Sequence, residues 1–256
     1  MVKIKTKEDI DILREGGRRL ALILQTVGKA VKPGVSTLEL DKLANKLATD
    51  NGDIPSVLNY RPKGAKRPYP ASICVSVNDE IVHGIPNENP KILKEGDIVS
   101  LDMCLTHKGL VTDSSITVPV GKIDPVAQKL LDATKEALAL GIKATKGNKN
   151  VGDIGFAVSR SAKSKGFSVV EELCGHGVGY SVHEDPYIPN YGERGRGEKL
   201  KPGMVICIEP MINEGTKDIV LCDDGYTYKT ADGKRSAHFE HTIVITNGEP
   251  EILTKI

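Results

Sequence analysis

Leu93-Lys94-Glu95-Gly96-Asp97-Ile98-Val99-Ser100-Leu101-Asp102-Met103 aligns without a gap on Leu200-Lys201-Pro202-Gly203-Met204-Val205-Ile206-Cys207-Ile208-Glu209-Pro210. Each copy leads from a Lys-x-Gly turn into a β-branched apolar run that ends in an acid, so Asp102 falls on Glu209. Downstream, Asp113-Ser114-Ser115-Ile116-Thr117-Val118 aligns on Glu240-His241-Thr242-Ile243-Val244-Ile245, and Gly121 and Gly248 each follow their acid by eight residues. Asp113 therefore falls on Glu240. Two fragments in one order, each matching an acid, mark an internal repeat with halves at about 1–121 and 122–256.

The flanking patterns repeat as well. In the first half, Ile10, Leu13, Gly17, Leu20, Leu24 and Val27 recur at helical spacing and predict a helix over 7–31, ended by Pro33-Gly34. A second helix over 36–49 opens on Ser36 with Glu39 three residues later, the pattern of a capping box. Strands are expected at 73–77, 98–105 and 115–120. The second half predicts a helix over 124–143, a break at Lys146-Gly147, a helix over 151–165, and then strands.

All four acids lie in or beside strands that otherwise read as buried. A carboxylate there is costly unless a cation or a dense set of donors compensates it. By the period of two, Asp102 shares a face with Ser100 and Ile98, and Glu209 shares one with Cys207; neither strand offers a nearby Lys or Arg. If the halves pack about a pseudo-two-fold axis, the four carboxylates converge and cannot all ionise without a cation. Hard oxygen donors in that number, with an imidazole, suit one or two divalent ions. His176 stands in Cys174-Gly175-His176-Gly177-Val178-Gly179, where the glycines allow a close approach to the backbone. No phosphate-binding G-x-G-x-x-G or Walker pattern is present. His183 precedes Glu184-Asp185-Pro186, and His83 precedes Gly84-Ile85-Pro86; His107, His238 and His241 read as surface or strand-alternation residues, the last two flanking Glu240.

Composition narrows the classes. Thirty-five Lys plus Arg against 34 Asp plus Glu give a formal charge of +1, so no global field favours nucleic acid or an anionic membrane. Five cysteines (Cys74, Cys104, Cys174, Cys207, Cys222) form no C-x-x-C pair and read as small buried hydrophobes of a reducing compartment. The charged start and the lack of a long apolar run argue against a signal peptide or a spanning helix, so a cytoplasmic monomer is expected. Two basic loops, one with Arg61, Lys63, Lys66 and Arg67 and the other with Lys229, Lys234 and Arg235, are candidates for ribosome contact. Segment 191–198, with Gly192, Gly195 and Gly197, reads as a mobile surface loop.

Nearly the whole chain resembles the type I methionine aminopeptidases, through His83-Gly84-Ile85-Pro86, the spacing of eleven from Asp102 to Asp113, Gly175-His176-Gly177-Val178-Gly179 and Ile208-Glu209-Pro210-Met211. The resemblance implies a single α+β domain over 1–256 in the pita-bread fold, with an antiparallel sheet covered by helices. It implies five metal ligands, Asp102, Asp113, His176, Glu209 and Glu240, for two divalent ions (cobalt, manganese, iron or zinc), with Asp113 and Glu240 bridging. It implies that the first peptide bond is hydrolysed, the substrate's α-amine taking an open metal position. Glu209 would handle the proton, His183 bond the carbonyl or oxyanion, and His83 bond the scissile nitrogen. Tyr69, Cys74, Val182 and Tyr226 would line the methionine pocket, Val182 and Tyr226 standing where relatives usually carry an aromatic residue and often a Trp. The implied activity is release of amino-terminal methionine from nascent chains when the second residue is small. Two competitors are an X-Pro aminopeptidase or dipeptidase of the same fold, whose usual extra domain 256 residues do not accommodate, and a non-catalytic binding module, which would have no need of the ligands.

Overall fold

The computed structural model describes residues 2–146 and 149–256, so Gly147 of the expected break lies outside the described residues. Helix α1 (Lys7–Ala30) opens on a reciprocal capping box between Thr6 and Asp9, and α2 (Thr37–Asp50) opens on the expected one between Ser36 and Glu39. Helix α3 (Pro125–Lys143) has Pro125 at its first position, and the Asp124 side chain accepts from the N–H groups of Val126 and Ala127; α4 (Val151–Ser164) follows. All four match the periodicity to within a residue or two at each end.

The principal sheet is antiparallel and uses β1 (Cys74–Val77), β2 (Ile98–His107), β3 (Leu110–Pro119), β4 (Cys174–Gly177), β5 (Glu184–Pro189), β6 (Val205–Ile208) and β7 (Glu240–Val244). Its order is β2-β3-β7-β6-β4-β5; β1 and Ile54–Pro55 pair with the outer side of β2, and Glu251–Ile252 pairs with β7. Strand β3 begins at Leu110, earlier than the expected 115. Thr112-Asp113-Ser114-Ser115 has the polarity of a turn, yet all four are buried and most of their side chains are bonded.

Strand alternation then separates two faces. Val99, Leu101, Met103 and Leu105 pack with Leu20, Leu24 and Val27 of α1 and with Leu40 and Ala44 of α2. In the second half, Ile206, Ile208 and Ile243 pack with Leu130 and Leu131 of α3 and with Ile154 and Val158 of α4. Each pair of helices thus buries the apolar face of its own half of the sheet, and the opposite face carries the acids. The halves meet where β3 pairs with β7, through Glu240 opposite Ser115 and His241 opposite Ser114. Side chains extend this short ladder: Ser114 Oγ donates to the Glu240 carbonyl (2.8 Å), Thr117 Oγ1 to the His238 carbonyl (2.7 Å), and Thr242 Oγ1 to the Asp113 carbonyl (2.7 Å).

Candidate metal centre and active site

Five neighbouring strands each deliver one of the expected ligands. Asp102 is on β2, Asp113 on β3, Glu240 on β7, Glu209 directly after β6, and His176 on β4. Asp102 lies opposite Ser115 and Asp113 opposite Cys104, so the two first-half acids are diagonal neighbours on one face. The Nε2 atom of His176 lies 3.4 Å from Glu209 Oε1 and 3.9 Å from Asp113 Oδ2. Cys104 donates its thiol to Asp113 Oδ2 at 2.7 Å. Ligand-type atoms of Asp113, His176, Cys207 and Glu240 all lie within 4.8 Å of one another. Cys104 and Cys207, read from the sequence as packing residues, thus touch the acids; alternation alone places Cys104 beside Asp102 and Cys207 beside Glu209.

The electrostatics follow from that crowding. Burial raises the pKa of Asp113 to about 6. Burial, then repulsion from Asp113, pushes Asp102 and Glu240 well above the carboxylate range, and Glu209 shifts the same way. Without a cation among them, the four carboxyls therefore resist ionising together. Asp113 Oδ1 and Glu240 Oε1 are buried without a hydrogen-bond partner, as are both ring nitrogens of His238. His176 Nδ1 lies 2.9 Å from the Gly177 carbonyl, which can only accept; the proton sits on Nδ1 and the Nε2 lone pair faces the acids. Burial lowers this imidazole's pKa to about 3, in keeping with a neutral ligand. Orphaned carboxylate oxygens beside an oriented imidazole fit divalent cations.

The glycines around His176 admit neighbouring strands. A Cβ at Gly175 would lie 2.3 Å from the Cys207 carbonyl oxygen, and one at Gly177 would lie 2.3 Å from that of Asp185.

Histidines 83 and 183 come from loops. The ring of His183 packs edge-on against that of His176, with centroids 4.4 Å apart, and its Nδ1 lies 2.8 Å from the Tyr60 hydroxyl. Sequence reasoning missed Tyr60, which lies 123 residues away and carries no pattern of its own. His83 has a left-handed backbone (φ 59°), and its carbonyl accepts from Thr227 Oγ1 at 3.3 Å. Burial, then His183, lowers its pKa to about 4.

Tyr69, Cys74 and Tyr226 form one apolar cluster with Ala71, the two tyrosine rings edge-on at 5.2 Å. The Tyr69 hydroxyl donates to the Gly84 carbonyl beside His83 at 2.8 Å, and that of Tyr226 to the Arg67 carbonyl. Val182 is buried in an adjoining cluster with Cys104, Val178 and Cys207, and Val57 packs against both clusters. Of the remaining histidines, His107 and His238 are buried, not on the surface. His107 Nδ1 lies 2.7 Å from Asp53 Oδ1, and His238 Nε2 faces Glu209 at 3.9 Å. His241 is half-buried, with Nδ1 2.9 Å from Thr254 Oγ1. Segment 191–198 is fastened to the start of α4: the N–H groups of Val151 and Gly152 donate to the carbonyls of Glu198 and Arg196.

A family model described as metallopeptidase family M24 matches residues 11–247. Methionine aminopeptidase 1 of Bacillus subtilis is 44% identical over 256 residues, covering 100% of both chains. The solved methionine aminopeptidase of Thermotoga maritima superposes with a TM-score of 0.95 at 40% identity, again over 100% of each chain. The Xaa-Pro dipeptidase of Bacillus anthracis, at 22% identity and a TM-score of 0.75, shares the fold; this chain covers 62% of it.

Proposed function

This chain belongs to the methionine aminopeptidases of metallopeptidase family M24, and we propose that the cluster on β2, β3, β7, β6 and β4 is where it removes the amino-terminal methionine of nascent proteins, when the second residue is small. The observation that carries the placement is the pair of buried, unpartnered oxygens, Asp113 Oδ1 and Glu240 Oε1, on the two strands that join the halves. Asp102, Asp113, His176, Glu209 and Glu240 would hold two divalent ions, with Asp113 and Glu240 shared. In two-metal sites, aminopeptidases among them, such ions polarise the carbonyl under attack and bring the pKa of water toward neutrality.

The chain's own residues do the rest. Glu209, ending its strand within reach of His176 and half-buried, takes the proton of the attacking water and passes it toward the leaving amine. Tyr60 fixes the tautomer of His183: when its hydroxyl donates to Nδ1, the ring proton sits on Nε2, free to bond the carbonyl oxygen as negative charge develops there. His83, held neutral by burial, bonds the scissile nitrogen. The Tyr69, Cys74 and Tyr226 cluster takes the methionine side chain, an unbranched thioether that suits a narrow apolar slot, with Val182 shaping the slot from behind. The substrate is an amino terminus; an internal residue has no α-amine to present.

Manganese, iron, cobalt and zinc all suit this donor set. For the basic loops, internal pairing reduces the charge available to a ribosome: Arg67 is paired with Glu88, Arg235 with Asp124 and Glu214, and Lys229 with Asp79. No helix among the described residues is long and apolar enough to cross a membrane. Hydrolysis of a peptide panel with Met, Leu or Ala first and Gly, Ala or a large residue second, under each metal, tests the reading. Methionine release restricted to small second residues is expected; faster cleavage after Leu overturns the pocket assignment.

A further inference from the structure

Lys5 takes no part in the site described above, yet it is buried where an ammonium group is costly. Its side chain is 1% exposed, and its Nζ lies 2.6 Å from Glu184 Oε2, on a side chain 4% exposed. Desolvating two ions largely cancels their attraction, so such a pair adds little to stability over a well-packed apolar substitute; its best-attested use is to select one arrangement over others. What this pair arranges is the turn that carries His183. Glu184 Oε1 accepts the N–H groups of Tyr180 (2.6 Å) and Ser181 (3.0 Å), closing the segment on either side of the histidine, while Oε2 is held by Lys5.

The surroundings are cut to this lysine. Gly179 has φ +136°, and a Cβ there would lie 2.4 Å from Lys5 Cε. Lys5 Nζ also stands 4.7 Å from the centroid of the Tyr180 ring, and the Tyr180 hydroxyl donates to Asp9 Oδ2 in the first turn of α1. The backbone N–H of Lys5 donates to the Gly203 carbonyl at 2.8 Å, just ahead of β6 and Glu209. The segment before α1 is thus clasped between the turn that presents His183 and the strand that leads to Glu209.

We propose that Lys5 is a positioning residue for catalysis: through Glu184 it holds the 180–184 turn so that His183 stays in register with His176 and Tyr60. The inference rests on the catalytic role assigned to His183. A double-mutant cycle of Lys5→Met and His183→Ala tests it, with kcat and KM measured separately on a Met-initiated peptide and amide hydrogen exchange followed in the metal-free protein. His183→Ala is expected to lower kcat by about 10² to 10⁴-fold. Lys5→Met is expected to lower kcat by about 10- to 100-fold, the scale of a small misplacement, with KM nearly unchanged. In the His183→Ala background, Lys5→Met should then leave kcat within about twofold of the single variant. Exchange at Tyr180 and Ser181 should quicken.

Parental kcat in Lys5→Met, an equal fractional loss in both backgrounds, or unchanged exchange at Tyr180 and Ser181 overturns the inference while leaving the role of His183 standing. Parental kcat in His183→Ala removes that role first, and the inference with it. Should Lys5→Met fail to fold because Glu184 is left alone, Lys5→Met/Glu184→Gln leaves no lone charge and keeps an oxygen for the two amides, and the same outcomes are read from it.

Discussion

The two sides of the proposed active site are built differently. Asp102, Asp113, Glu240, Glu209 and His176 are placed by five strands whose ladder hydrogen bonds fix where each side chain points. His83, His183, Tyr69 and Tyr226 stand on loops or turns and are held by a few bonds, several of them from side chains: Tyr60 to His183, Thr227 to His83, Tyr69 to Gly84. A ladder distributes the task over many bonds, so one substitution removes a ligand without moving its neighbours. A loop held by a few bonds can lose its geometry through a residue that never meets the substrate. Metal binding should therefore fail by losing ligands, and turnover by losing supports.

The largest effect is expected on the strand side. Asp113→Asn should weaken both ions and abolish measurable turnover, because a carboxylate proposed to serve both would offset the repulsion between them. Asp102→Asn should weaken one ion and spare the other. Calorimetric metal titration giving both variants the same stoichiometry and affinity would remove the distinction between bridging and terminal acids. Next, on the loop side, His83→Ala should lower kcat by about 10² to 10⁴-fold with metal content unchanged, whereas His176→Ala should lose metal. Metal analysis alongside kinetics separates the two, and loss of metal from His83→Ala would dissolve the contrast between strands and loops.

Those outcomes bear on how much could be read from the chain itself. The strand side was legible because an acid on a buried strand face is physically odd and the oddity occurs four times in register: Asp102 with Glu209, Asp113 with Glu240. The helices were legible through Ser36, Glu39 and their apolar spacing. The supports were not. Tyr60 meets His183 across 123 residues and Lys5 meets Glu184 across 179, and no local period encodes which loop faces which. The start of β3 was misplaced for a related reason, since Thr112 to Ser115 look like a turn until the second half arrives to bond them.

A smaller effect should follow at the methionine pocket. Tyr69→Phe removes one bond to the Gly84 carbonyl, and a neutral hydrogen bond contributes about 0.5–1.5 kcal/mol, so kcat/KM should fall by roughly 2- to 12-fold with metal content intact. Kinetics on a Met-Ala peptide check this; a loss of several hundredfold would mean that the loop side is less modular than described. The smallest effect lies far from the site. Arg235 and the first N–H groups of α3 hold the Asp124 carboxyl at about 2, below its unfolded range near 4. Its contribution is therefore full above about pH 4 and is lost as the pH falls toward 2. The urea midpoint of Asp124→Asn should sit slightly below the parent's at pH 6, and the gap should narrow at pH 3, with kcat unchanged; a gap that widens in acid would reverse the sign of the argument.

The order of strands also sets a timetable. In chain order β7 is the last of the seven strands, yet in space it lies in the middle of the sheet, between β3 and β6. While the chain is being made, the first half can form its hairpin of β2 and β3, but that hairpin ends in an open edge until Glu240–Val244 arrives to pair with it. Such long-range closure is slow compared with helix or hairpin formation. A protein that trims other chains as they begin is itself without its central strand until Glu240–Val244 has been made, and an amino-terminal fragment that stops short of residue 240 lacks an acid proposed to hold metal.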